Sequence, residues 1–233
     1  MVRGPRPAGA GAREKGEWRE LGNDRRDLGF PAARLGLTMP TIYFVRHGQT
    51  AWNAEGRLQG QRDVDLNAVG LEQAAEVGDR LRAVAGEDLA DADYVASPLT
   101  RARRTMEILR GRLGLDPEGY RADPRLMEIH FGAWEGSTWA EIRRRDPAGA
   151  HARDRNRWGY RPPGLRAESY AMLTERVAPV IAGLARDTVV VAHGGVARAM
   201  LVALGHLDIY AAPRIGIRQG VVLVMERDGW RWA

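Results

Sequence analysis

The chain has 233 residues, no cysteine, 44% hydrophobic residues and a formal net charge of +5. That length fits one domain with a real core, and the lack of cysteine excludes disulfides, thiolate catalysis and Cys-ligated zinc. The basicity does not point to nucleic acid: residues 1–38 hold eight Arg/Lys against five Asp/Glu, leaving +2 for the other 195 residues, and no basic run alternates with aromatics.

In chain order, residues 1–38 are rich in Gly, Pro, Ala and charge and show no sustained period. They are read either as a wrongly assigned upstream extension or as a disordered tail. Met39-Pro40 then leads into the folded unit, residues 39–233. A strand is expected at 41–46, followed by a loop and a helix from about Asn67 to Val84. Asn67 serves as its N-cap, and Leu71, Ala74, Ala75, Gly78 and Leu81 form its apolar stripe. A strand near 93–97 runs into Ser97-Pro98 and a helix over about 99–113. An irregular stretch, 126–136, precedes a short helix near 138–145. Another helix spans roughly 167–185, which Pro179 should bend or divide. Strand 188–192, a helix near 196–204 and a last strand, 220–226, complete the set. This alternation predicts an α/β fold of three layers, α/β/α, with a central mostly parallel sheet. No run is long enough to span a bilayer and no signal peptide is visible, so neither membrane nor nucleic acid is expected as partner and a cytoplasmic location is.

Two apolar runs end in histidine: Thr41-Ile42-Tyr43-Phe44-Val45-Arg46-His47-Gly48 and Val189-Val190-Val191-Ala192-His193-Gly194-Gly195. Strand carboxyl ends are where ligands bind in open α/β sheets. If the two strands are neighbours, two imidazoles and Arg46 converge on a volume suited to a phosphoryl group. Arg46, Asn53 and the loop amides near Gly48 can bind a phosphate dianion, and the amides opening the helix after His193 can stabilise an anion. The opposing readings are an Arg-His that merely caps the sheet and a histidine that merely packs in the core.

Ser97-Pro98-Leu99-Thr100-Arg101-Ala102 places Arg101 in the first helical turn, where a cation opposes the macrodipole. It is a candidate anion ligand, whereas Arg103 and Arg104 read as a solvated face. Leu126–Gly136 sets Glu128 in an apolar, glycine-punctuated loop, fit for a proton donor or for a structural ion pair. Glu135 reads as a local capping or pairing group and His130 as a packing residue. Trp134, Trp158, Tyr160 and Phe131 are candidates for a leaving-group pocket or for core. His151–Arg157 reads as a solvated basic loop or as a second anion contact.

Arg46-His47-Gly48 with Asn53, Ser97–Ala102, Glu128 in Glu-Ile-His-Phe-Gly-Ala-Trp-Glu-Gly, and His193-Gly194-Gly195 together resemble the histidine phosphatase superfamily, which includes the cofactor-dependent phosphoglycerate mutases. The resemblance covers about 40–226, and Gln59-Gly60 matches the family's phosphate-side loop. It implies a phosphoglycerate mutase-like fold with His47 as nucleophile and Glu128 as general acid and base. Arg46, Asn53, Arg101, His193, Gln59 and Gly60 would be the phosphate-binding set. The arginines and a protonated His193 would stand in for metal ions, so no metal or other cofactor is implied. The partner would be a small phosphorylated metabolite, and the resemblance also admits a homodimer. Pro163–Ser169 matches the family's Gly-Glu-Ser segment only in part, and Glu168 receives no role.

The mutases of this family carry an arginine after the catalytic glutamate, where this chain has Ile129, and a longer insertion before the second histidine than the 64 residues found here. Both departures point to a phosphatase, with a phosphoglycerate mutase as the alternative. A non-catalytic phospho-ligand binder is the reading from another class, but Arg46, His47, Glu128 and His193 are all retained. A metal hydrolase using Asp63 and Asp65 lacks a closely spaced His pair.

Overall fold

The computed structural model describes residues 39–233. The expectations for residues 1–38 lie outside the described residues. Six strands form one sheet: β1 (Ile42–Arg46), β2 (Asp93–Ala96), β3 (Arg121–Ala122), β4 (Thr188–Ala192), β5 (Val222–Glu226) and β6 (Gly229–Trp232), in the order β3-β2-β4-β1-β5-β6. The first four in that order run parallel, and β5 and β6 add an antiparallel edge.

The helices are α1 (Ala51–Ala54), α2 (Ala68–Ala85), α3 (Thr100–Arg112), α4 (Trp139–Arg145), α5 (Pro147–Arg155), α6 (Tyr170–Ala182) and α7 (Gly194–Ala203). β4 is buried along its whole length, and its alternate side chains enter opposite cores. Val189 and Val191 join Tyr43, Val45, Val77, Leu81, Met106 and Leu109, the layer of α2 and α3. Val190 and Ala192 join Phe44, Leu173, Val177, Val196 and Met200, the layer of α6 and α7. A continuous apolar strand is what two-sided burial requires, and each such Val or Leu contributes roughly 1.5–3 kcal/mol. Among the described residues, no helix is long and apolar enough to cross a membrane.

Several expectations need correction. The chain does not end its fold at 226, because β6 pairs with β5 after a two-residue turn. Pro179 does not divide α6, which continues from Tyr170 to Ala182. Leu71 is exposed, and Val77 is buried with Ala74, Gly78 and Leu81 in the α2 stripe. The insertion at 147–155 is a helix, α5, opened by an Asp146 cap and Pro147. Trp134 stacks on Tyr160 and meets Trp139 edge-on in a small separate core.

The crossovers explain where a site can form. The chain leaves β1 toward the α2 face and leaves β4 toward the α7 face, so the two adjacent strands diverge at their carboxyl ends. Such a reversal opens a crevice there.

Candidate active site

Arg46 pairs with Ala192 in the β1–β4 register, so His47 and His193 are the next residues on adjacent parallel strands. Their rings lie 5.1 Å apart, centroid to centroid. Ser97 leaves β2, the strand beyond β4, and its hydroxyl lies 2.7 Å from His193 Nε2. One in-register edge of three parallel strands thus collects the first residues of the site.

His47 is buried, and its Nδ1 lies 2.7 Å from the Gly48 carbonyl oxygen. A carbonyl only accepts, so Nδ1 carries the proton and Nε2 keeps a lone pair. Arg101 Nε donates to that Nε2 at 3.3 Å. Burial, then the Arg101 and Arg46 charges, push His47 well below the ordinary 6.5. His193 is lowered well below it too, by burial first and then by Arg101 and His47. The expectation of a protonated His193 is therefore corrected, since the surrounding protein groups favour the neutral ring.

These two histidines predict a pH dependence of stability. Their folded pKa values lie below the unfolded one, so their contribution is fully present above pH 6.5 and is lost as pH falls below it. Unfolding takes up as many as two protons at these rings, so their share of the stability drops by up to about 2.7 kcal/mol per pH unit until the folded values are reached, and His206, which burial also lowers, adds to the fall. Urea denaturation across a pH series checks this; a flat profile below pH 6 would contradict it.

Arg101 is fully buried in the first turn of α3. Besides His47, it donates to the carbonyls of Arg62 (2.7 Å) and Gly60 (2.8 Å). Burial lowers it to about 10, which leaves it charged at neutral pH. Asp63, from the same loop, caps α3 by accepting from the Thr100 amide and hydroxyl. That capping engages both oxygens of a carboxylate considered for metal binding. Gly60 has φ +55°, and a Cβ there would strike the Glu135 carboxylate. Glu135 accepts from the nearby Phe131 amide and also, across 74 residues of chain, from the Gln61 amide, so its role reaches beyond the local capping expected for it.

Glu128 is half-buried, and both its oxygens accept backbone amides: Ile129 N at 2.9 Å and Gly195 N at 3.1 Å. The carboxylate thus occupies the anion position at the start of α7, and a Cβ on Gly195 would displace it. Gln61 Nε2 donates to the Glu128 carbonyl at 3.0 Å. Arg176 donates to the carbonyls of Arg125 and Met127 and pairs with Glu168 at 2.8 Å. Glu168 also accepts from His130 N, so this ion pair straps down the segment that carries Glu128.

The amides near Gly48 are not available as phosphate ligands. Gly48 N donates to Thr105 Oγ1, Gln49 N to Gln73 Oε1, and Thr50 N to Asn53 Oδ1. Gly48 packs directly against Gly70 of α2, where neither residue has room for a Cβ.

Arg46, His47, Asn53, Gln59, Gly60, Arg101 and Glu128 line one cavity of about 150 Å³, with Gly194 from the start of α7. Arg46 Nε and Gln59 Oε1 are buried there without a protein partner among the described residues, as is His193 Nδ1 behind His47. Arg57, Phe131, Tyr170 and Arg198 extend the lining. Of the proposed leaving-group aromatics only Phe131 reaches it; Trp158 stacks behind Tyr170. In the 151–157 run, Arg153 lies over the Trp139 ring and contacts Asp154. A larger hollow of about 580 Å³, lined by Arg82, Leu89, Asp91, Leu113 and Leu115, shares no residue with this cavity. The chemistry-bearing groups meet only in the smaller one.

Sequence reading missed Arg57, Gln61, Arg176, Arg198, Tyr170 and Gln219. Arg198 was detectable, because starting α7 at Gly194 places it one turn along on the same face. Arg57 and Gln61 flank the Gln59-Gly60 pair already singled out, and Tyr170, Arg176 and Gln219 approach from other elements with no local signal.

Comparison with known proteins agrees with this geometry. Residues 42–233 match the model of the histidine phosphatase superfamily (branch 1). A metal-independent phosphoserine phosphatase of Arabidopsis thaliana is 35% identical over 164 residues, 68% of this chain and 66% of its own length. A probable phosphoglycerate mutase of Erwinia tasmaniensis is 43% identical over 97 residues, 42% of this chain and 41% of its own. The chain therefore spans less than two thirds of the length of both these relatives. The native structure of a mycobacterial glucosyl-3-phosphoglycerate phosphatase superposes with a TM-score of 0.68 at 30% identity, covering 83% of this chain and 96% of that one. With the sheet order, the paired histidines and the family match in agreement, this chain belongs to the histidine phosphatase superfamily.

Proposed function

We propose that the protein is a metal-independent phosphomonoesterase that hydrolyses a small phosphoester through a phosphohistidine at His47. One observation carries the reading: a neutral His47 whose Nδ1–H is fixed, so that Nε2 offers its lone pair to a cavity lined by Arg46, Arg101 and Glu128. In the first step Nε2 attacks phosphorus, the ester P–O bond breaks, and Glu128 passes to the leaving oxygen a proton that it regains from water in the second step. In the second, water attacks phosphorus as Glu128 takes its proton, the P–N bond breaks, and phosphate leaves.

Arg101 now donates to Nε2, and phosphoryl oxygens offer it stronger, charged acceptors. Binding therefore frees the nucleophile's lone pair. Arg46, Asn53 and Arg101 form a fixed donor set for the charge on the non-bridging oxygens, Gln59 and Gly60 line the same cavity, and His193 stands beside the nucleophile. The cavity volume favours a small leaving group. The relatives named for phosphoserine and for glucosyl-3-phosphoglycerate support a phosphorylated metabolite as substrate.

Phosphate release from a panel of phosphomonoesters and phosphoglycerates in excess chelator tests the reading. Undiminished release is expected. Loss of release in chelator would overturn the metal-independent mechanism. Isomerisation of phosphoglycerate without release would make the protein a mutase, and silence in every well would leave a phospho-ligand binder.

A further inference from the structure

The segment that enters β5 holds the site from behind at alternate residues. The Ile215 carbonyl accepts Arg198 Nε at 3.2 Å and Nη2 at 2.9 Å. The Ile217 carbonyl accepts Arg46 Nη1 at 2.7 Å. Two residues on, Gln219 Nε2 donates to the His47 carbonyl at 2.9 Å and to Asn53 Oδ1 at 3.1 Å. Of these supports, only the last is made by a side chain of the segment, so a substitution can remove it cleanly.

The orientations of the two amides follow from their backbone partners. The His47 carbonyl can only accept, so the Gln219 atom facing it is the NH2 group, which has a hydrogen for each of its two acceptors. Thr50 N can only donate, at 3.2 Å, so the Asn53 atom facing it is Oδ1. With Oδ1 taken by Thr50 and Gln219, the Asn53 amide hydrogens are left for the cavity that Asn53 lines. Nδ2 has no protein partner among the described residues. Asn53 also sits in a four-residue helix, α1, whose first turn depends on the same capping box. So short a helix holds its own residues weakly.

We propose that Gln219 is a positioning residue: it locks the Asn53 amide with its NH2 toward the phosphoryl site and ties that amide to the backbone of the nucleophile. The assignment rests on the phosphoryl-site reading above. Gln219 touches no reacting atom and acts through Asn53, so its effect should depend on Asn53 being present.

Binding of inorganic phosphate, measured by calorimetry on the full chain, tests this in a double-mutant cycle. Gln219→Ala should weaken phosphate about tenfold, the loss expected when a donor to a charged ligand is no longer held in place. Gln219→Met keeps length and packing but no donor, and should lose as much. In an Asn53→Ala background, either change should alter binding by less than about twofold. Equal losses with and without Asn53 would overturn the proposal, because Gln219 would then act on the fold or on His47 alone. Wild-type binding by Gln219→Met would overturn it too, since packing rather than donation would be at work. If Gln219→Ala unfolds, the Met variant carries the cycle. Failure of the unmodified chain to bind phosphate would instead overturn the phosphoryl-site reading, and the assignment with it.

Discussion

His47→Ala should lower phosphate release at least about 10⁴-fold, because no neighbouring group can take over a covalent step. Arg101 would lose its Nε acceptor but keep the Gly60 and Arg62 carbonyls, so the loop it organises should stay in place. The fold should survive, and the variant offers a second readout. With His47 gone, His193 and His206 keep their lowered values, so the fall of stability below pH 6.5 should be less steep than in the unmodified chain. A rapid alkaline quench with labelled ester should leave label on the unmodified protein and none on the variant. Substantial residual hydrolysis, or label on both, would remove His47 from the mechanism.

Glu128→Gln should separate the two proton transfers. A poor leaving group needs protonation, so first-turnover release of an alkyl alcohol should slow by about 10²–10⁴-fold. A nitrophenyl ester leaves without that help and should still give a fast burst. Its steady state should nevertheless be slow, because cleavage of the phosphohistidine requires a base to activate water. Equal loss of both first turnovers would argue against the acid role. Glutamine also places one acceptor where glutamate places two, and both the Ile129 and Gly195 amides need one. A local cost of roughly 1–3 kcal/mol is expected at the start of α7, readable in the melting temperature.

The extent of what was legible follows the physics of each element. β1 and β4 were visible because strands buried on both faces must be apolar without a break, and because each ends at a histidine followed by glycine. α2 was legible from its cap, since the Asn67 side chain does accept from Gly70 N. Where the stripe was judged by residue type alone it went astray, and Leu71 faces solvent. The expected supply of loop amides to the phosphate also failed. Whether an amide is free depends on Thr105, Gln73 and Asn53, and two of those three come from other helices.

By itself the sequence determined the α/β class, the strands and helices that carry His47, Arg101 and His193, and the identity of the residues able to handle a phosphoryl group. These are local matters, fixed by periodicity, caps and side-chain chemistry within a few residues. Tertiary structure decided the rest. It placed β1 beside β4 in a register that brings His47 against His193. It chose the His47 tautomer and, by burial, pushed both rings below the ordinary histidine value. It also brought Gln219, 172 residues from His47 in the chain, onto the nucleophile's backbone. No spacing encodes such contacts, because they form only when separate elements pack and each buried polar group must find a partner wherever the fold provides one.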